Sequence, residues 1–217
     1  MPHPYWPLFD LRIRTPRLEL RLPDDDELVA LAGLAAAGIH AADFMPFSIP
    51  WTERPSPDLE RGLLQWHWRC RGDCAPDRWR LSLAVYEGGR VIGTQDVGAQ
   101  DFANLRTVTT GSWLGREHQG RGCGSEMRAA VLHLAFAGLG GLIARSAAFA
   151  DNAASIAVSR ALGYVPDGEE LVVRRGVACR HVRFRLERGE WERRRRDDIV
   201  LEGLEPCLPL LGATAPA

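Results

Sequence analysis

A glycine loop set between a β-rich run and an apolar-periodic stretch constrains this chain more than any other feature. Thr107 to Leu114 is rich in β-branched residues, Gln119-Gly120-Arg121-Gly122-Cys123-Gly124-Ser125 follows, and Met127, Val131 and Leu134 then recur four and three apart. That spacing predicts strand, loop and helix in succession. Glycines at 120, 122 and 124 let successive backbone N–H groups turn toward one point, which the first-turn N–H groups and the positive end of the helix dipole also face. A diphosphate suits such a corner.

Spacing separates the phosphate loops that could claim the segment. A nucleotide-hydrolysing loop needs GxxxxGK[ST], and the chain contains no lysine. A dinucleotide GxGxxG loop would need glycine where Ser125 or Met127 stands, and no carboxylate closes the strand Leu142–Ser146 to hold a ribose. The pattern [Q/R]xxGx[G/A] is met at Gln119, Gly122 and Gly124. On these residues the segment resembles the coenzyme A loop of the GCN5-related N-acetyltransferases (GNAT). A second GNAT-like signature follows: Asn152-x-x-Ser155 opens a helix that closes on Leu162-Gly163-Tyr164. Physically, Asp151 or Asn152 caps that helix, Ile156 and Leu162 form its apolar face, and Gly163 supplies the left-handed residue that ends it.

The resemblance covers residues 11 to 187. Thr15-x-Arg17-Leu18 is similar to the opening of the ribosomal-protein N-acetyltransferase branch. Trp6 to Arg12, Met45 to Ser48 and Arg128 to Val131 resemble an actinobacterial group proposed to use succinyl-CoA. The resemblance implies an α/β (α+β) fold with a mixed, largely antiparallel sheet of about seven strands and about four helices. It implies an acyl-CoA-dependent N-acyltransferase that moves an acetyl or succinyl group to a primary amine by direct attack, without a metal. Coenzyme A would be held by Ser112, Trp113, Leu114, Gln119, Gly120, Arg121, Gly122, Cys123, Gly124, Ser125, Asn152 and Ser155, with a backbone N–H of the strand polarising the thioester.

Relatives often use a tyrosine as acid for the leaving thiolate. Here Ser159 holds that position and is the candidate. Asp96 is the candidate base, with Asp101 as runner-up, whereas Glu117 and His118 are expected to meet solvent or phosphate. A succinyl donor needs a partner for its extra carboxylate, for which Arg174, Arg175 and Arg180 are candidates unless they pair with Glu169 and Glu170. A competing reading is an acyl-CoA-binding or sensor module without turnover, which assays of thioester cleavage would discriminate.

With 217 residues, 46% of them hydrophobic, and a net charge of −1, one core is affordable and neither nucleic acid nor membrane is favoured. No apolar run nears about eighteen residues, and the expected location is the cytoplasm. Five cysteines without a CxxC pair indicate neither a disulfide framework nor a zinc site. The acceptor is expected to be a small-molecule or peptide amine.

Along the chain, residues 1–16 read as a proline-broken arm and Thr15 to Arg21 as an outer strand. Asp24 with Glu27 reads as a capping box for a helix burying Leu28, Leu31, Ala32 and Ala35. Ile39 to Pro57 is a long loop expected to wall the acceptor pocket. A helix at 58–71 should bury most of its tryptophans and leave His67 partly exposed. A hairpin turns at Gly88-Gly89, and two further strands meet at Gly176. Arg193 to Arg196 reads as a solvated helix end beside Asp197 and Asp198. Residues 1–187 are expected to form one domain, with 188–217 packing back on it or meeting a second subunit in a homodimer.

Overall fold

The computed structural model describes residues 3–213, so the ends of the N-terminal arm and of the C-terminal extension lie outside the described residues. Nine strands form one sheet: β1 (Arg12–Arg14), β2 (Leu18–Arg21), β3 (Arg78–Glu87), β4 (Arg90–Gln100), β5 (Thr107–Leu114), β6 (Ile143–Phe149), β7 (Val165–Arg174), β8 (Val177–Glu187) and β9 (Val200–Glu202). Their order is β7-β8-β6-β5-β4-β3-β2-β1-β9, and only the β5–β6 pair is parallel. The helices are α1 (Asp25–Ala37), α2 (Asp58–Gly72), α3 (Phe102–Leu105), α4 (Cys123–His133), α5 (Ala153–Ala161) and α6 (Arg188–Glu192). The mixed, mostly antiparallel architecture is the expected one. The strand count exceeds the expected seven because β1 forms within the supposed arm and β9 pairs with it, Ile13 opposite Leu201. None of the described helices is long and apolar enough to cross a membrane.

Two hydrophobic clusters form. The larger joins α4, β3–β5 and the C-terminal turns, with Phe102, Phe136, Phe184, Leu208 and Leu211 buried in it. Trp79 Nε1 also donates to the Leu211 carbonyl at 2.9 Å, which ties the last described turn to the sheet. The smaller cluster lies under α1 and α2. In α1, Asp24 accepts from the Glu27 N–H at 2.8 Å while Glu27 accepts from the Asp24 N–H at 2.9 Å. The four α1 positions expected to be buried are buried.

In α2 the buried stripe is Leu59, Leu63 and His67, each four residues on from the last. This corrects the expectations for His67 and the tryptophans: His67 is 2% exposed, whereas Trp66 and Trp68 flank the stripe at 41% and 45%. The imidazole lies on the stripe that α2 must bury against the sheet, and Trp68 instead donates its Nε1 to Asp25 at 3.1 Å. Burial, then nearby Arg71, lowers the His67 pKa to about 4. The unfolded chain takes up this proton near pH 6.5 and the folded chain does not, so stability falls as pH drops from about 6.5 to about 4. The loss should reach about 3 kcal/mol. Denaturant titration should find that the difference in stability between wild type and His67→Leu varies with pH only in that window.

Candidate active site

β5 and β6 pair only from Thr107–Ile143 to Thr109–Arg145. Beyond that they part: β5 continues on β4 to Leu114, and β6 continues on β8 to Phe149. The opening is a cavity of about 610 Å³ walled by β5, β6, α4, α5 and the 39–57 loop. Gly115 N–H donates to the Ile92 carbonyl on β4 at 2.9 Å. By the two-residue alternation of an antiparallel ladder, Trp113 then also turns its N–H to β4, and Ser112 and Leu114 turn theirs into the gap.

The glycine loop closes one end. Gly120 and Gly122 take φ of +72° and +83°, and Gly122 caps α4 without a side-chain bond. None of the six backbone N–H groups from Gly120 to Ser125 has a partner among the described residues. A Cβ at Gly120 would meet nothing within 4 Å, and one at Gly124 would meet Val158 Cγ2 at 3.7 Å. Open N–H groups at a helix N-terminus fit the diphosphate of coenzyme A.

The site residues expected from sequence divide into three groups. Gly120, Gly122, Gly124, Ser125, Ser112, Trp113, Leu114, Asn152 and Ser155 all line the cavity. Gln119 lines it as well, but its Nε2 donates to the Ile39 carbonyl at 2.6 Å and the Leu114 carbonyl at 2.9 Å, so this side chain fixes the loop. Arg121 and Cys123 turn away from it. Arg121 is 3.8 Å from Glu87, and Cys123 is fully buried in the core, leaving only their N–H groups for a ligand. Asn152 Oδ1 accepts from the Ser155 N–H at 3.1 Å, which makes it a helix cap whose amide nitrogen has no acceptor among the described residues. Asn152→Ala should therefore raise KM for acetyl-CoA several-fold and cost about 1 kcal/mol of stability. A lower melting temperature with unchanged KM would leave Asn152 a cap alone.

A second cavity, about 410 Å³, lies on the α2 side and shares Gly111, Ser112, Trp113 and Phe47 with the first. Its walls include Trp51, Trp66, Leu59 and Leu63, and Asp96 stands among them. Asp96 accepts from Ser82 Oγ at 2.7 Å, with Arg80 3.9 Å away. Burial pushes its pKa up, against the opposing pull of Ser82 and Arg80. Asp101 is exposed in a turn, accepting from Asn104 at 2.8 Å, and lines neither cavity. Glu117 is exposed and pairs with His118 at 3.2 Å. Ser159 is fully buried: it donates to the Ser155 carbonyl and accepts from Arg128 Nη1, each at 3.0 Å, and is not among the cavity's lining residues.

The three hairpin arginines are engaged. Arg174 makes a bidentate pair with Asp151 and also donates to the Met45 carbonyl at 3.1 Å. Arg175 pairs with Glu53 and donates to the Ala42 carbonyl. Arg180 pairs with Glu169 at 2.7 Å, the partner expected for it. Arg174 and Arg175 therefore pin the 39–57 loop, which walls both cavities through Phe47 rather than the acceptor side alone.

The contacts of three features are not foreseen in the sequence. Glu126 is buried in the first turn of α4 and accepts from Thr15 Oγ1 at 2.6 Å and Arg17 Nε at 2.7 Å. Arg17 also donates to the Arg121 carbonyl at 3.1 Å. The Thr15-x-Arg17 opening thus clamps the glycine loop. The third is Arg128, 4% exposed and lining the first cavity. Its position four after Gly124 was the available signal, since that spacing puts it one turn below the loop on the same face.

A strand splayed from its parallel neighbour, an open glycine loop and a capped second helix now stand together, and the family comparison agrees with them. The acetyltransferase (GNAT) domain model matches residues 17–165, well over half of the chain. The chain belongs to the GNAT acetyltransferases. Among solved structures, Mycobacterium smegmatis RimJ in complex with CoA-disulfide is 18% identical, with a TM-score of 0.71 over 85% of this chain and 90% of that one. A ribosomal-protein-S5-alanine acetyltransferase from Vibrio fischeri is 19% identical, with a TM-score of 0.63 over 83% and 98%. RimL, a ribosomal L7/L12 alpha-N-protein acetyltransferase in complex with coenzyme A, is 19% identical, with a TM-score of 0.63 over 80% and 95%. At these identities the likeness speaks for the GNAT fold.

Proposed function

We propose that this GNAT enzyme transfers an acetyl group from acetyl-CoA to a primary amine seated in the 410 Å³ cavity. The observation that carries the reading is the meeting of two cavities on the same three residues of β5, Gly111 to Trp113. A donor thioester reaching Ser112 from one side and an amine from the other are brought into contact there, which converts a bimolecular encounter into a positioned one. One of the two gap-facing N–H groups, that of Ser112 or that of Leu114, holds the thioester oxygen as it gains charge; at two residues apart on an extended strand they are too far from each other to share it. Asp96 receives the ammonium proton, directly or through water, and burial makes it a stronger base than an ordinary carboxylate. Trp51, Trp66, Leu59 and Leu63 favour an amine with an apolar body. An alpha-amino group of a protein, the acceptor that the RimL relative is named for, is the first acceptor class to try, followed by small apolar amines.

Succinyl-CoA is the finer alternative for the donor. With Arg174, Arg175 and Arg180 each paired to a carboxylate, the grip first expected for its extra charge is taken up, which favours acetyl-CoA. The test is release of free thiol from the two donors at equal concentration, across a panel of peptide and small amines. Faster turnover of acetyl-CoA is expected. No amine-dependent thiol release from either donor would overturn the reading.

A further inference from the structure

Arg128 carries a permanent charge in a place where nothing pays it back. Its guanidinium meets three hydroxyls: Ser159 at 3.0 Å, Ser146 at 3.3 Å and Ser112 at 3.3 Å. Among the described residues its Nε has no partner and no carboxylate pairs with it, and no Asp or Glu lines the cavity it faces. A buried, unpaired cation is strongly destabilising unless an anion arrives to meet it.

The three serines fix where that anion must be. Ser112 is on β5, Ser146 is the first residue of β6 beyond the end of the β5–β6 ladder, and Ser159 is on α5. The guanidinium therefore bridges the two strands near the point where they part. Gly120, Gly122, Gly124, Ser125, Asn152 and Arg128 line one cavity, so a coenzyme A arm bound at the loop and running past Asn152 would bring its reacting end toward this point.

We infer that Arg128 is a catalytic residue whose guanidinium neutralises the thiolate of coenzyme A as it departs. This rests on the acyltransfer reading above. The amine nitrogen bonds to the carbonyl carbon, the C–S bond breaks, and its electron pair stays on sulfur. The nitrogen's protons leave through Asp96 and solvent, and the thiolate takes up a proton from solvent on release. An arginine keeps its proton, so it acts by charge and hydrogen bonding. The charge is uncompensated beside a neutral thioester and compensated as the sulfur becomes anionic, which is stabilisation confined to the transition state and product. Ser159 becomes a positioning residue that aims the guanidinium.

The test uses the full chain with reduced coenzyme A, following thiolate absorbance in the ultraviolet as pH is raised. In wild type the bound thiol should ionise at least about one pH unit lower than in Arg128→Met. The variant should also lose kcat about tenfold or more with little change in KM for acetyl-CoA. Methionine is chosen because replacing a buried charge by an apolar chain is commonly tolerated. Should it fail to fold, Ser159→Ala keeps the guanidinium with one fewer anchor and should move the thiol part of the way. Equal thiol ionisation in wild type and variants would overturn the proposal and leave the acyltransferase intact. Loss of succinyl transfer alone in Arg128→Met would also overturn it, showing that Arg128 reads an acyl carboxylate. Failure of wild type to bind coenzyme A would remove the functional reading itself.

Discussion

Gly124→Val should weaken acetyl-CoA binding by about 100-fold or more, roughly 3 kcal/mol, while the protein stays folded. Gly124 sits inside the first turn of α4 with ordinary helical backbone, and its added Cβ would touch only Val158 Cγ2 at 3.7 Å. Its N–H belongs to the run of six that have no partner among the described residues, and the valine methyls would stand where a diphosphate must approach. Gly122→Val is the weaker experiment. With φ at +83° and Arg17 Nη2 3.4 Å from the new Cβ, backbone strain would mix with loss of the ligand. Calorimetry that found unchanged affinity in a folded Gly124→Val protein would sink the loop as the diphosphate site.

The parts legible in the sequence are those set by local rules. The capping box at Asp24, the Gly88-Gly89 turn with φ of +57° and +79°, and the α4 stripe at Met127 and Val131 each depend on a few neighbouring residues. The cluster Arg193 to Arg196 is likewise local: it pairs with Glu190, Asp197 and Asp198, as a solvated end would. The glycine loop belongs with these, because its open N–H groups are backbone groups that glycine spacing announces.

What escaped reading depends on partners distant in the chain. β1 is three residues long and becomes a strand because β2 and β9 flank it. His67 looks polar in sequence, yet α2 can bury only one stripe, and Leu59 and Leu63 choose it. Glu126 is explained by Thr15 and Arg17, more than a hundred residues earlier. The hairpin arginines meet Asp151 and Glu53 across the fold, and only Arg180 finds its partner on the same hairpin. Charged side chains are the least predictable of these, since a long arm reaches whichever carboxylate the tertiary fold brings near.

Asp96→Asn is expected to lower kcat by about 10²- to 10⁴-fold and leave the KM for acetyl-CoA nearly unchanged. The amide keeps the size of the carboxylate and can still bond Ser82, so the 410 Å³ cavity should persist while the proton acceptor is lost. The sign of the pH dependence follows from burial. Because burial raises the Asp96 pKa, the basic form is lost at a higher pH than for an ordinary carboxylate, and the acid limb of kcat/KM should lie above the usual carboxylate range. Ser82→Ala removes a hydrogen bond that favours the charged form, and should move that limb further up. His67 lines the same cavity but has its pKa lowered to about 4, so as a base it would place the limb near that value. A pH-rate profile therefore separates the two. A limb near pH 4 that survives in Asp96→Asn would transfer the base to His67, and normal turnover in Asp96→Asn would remove Asp96 from the mechanism.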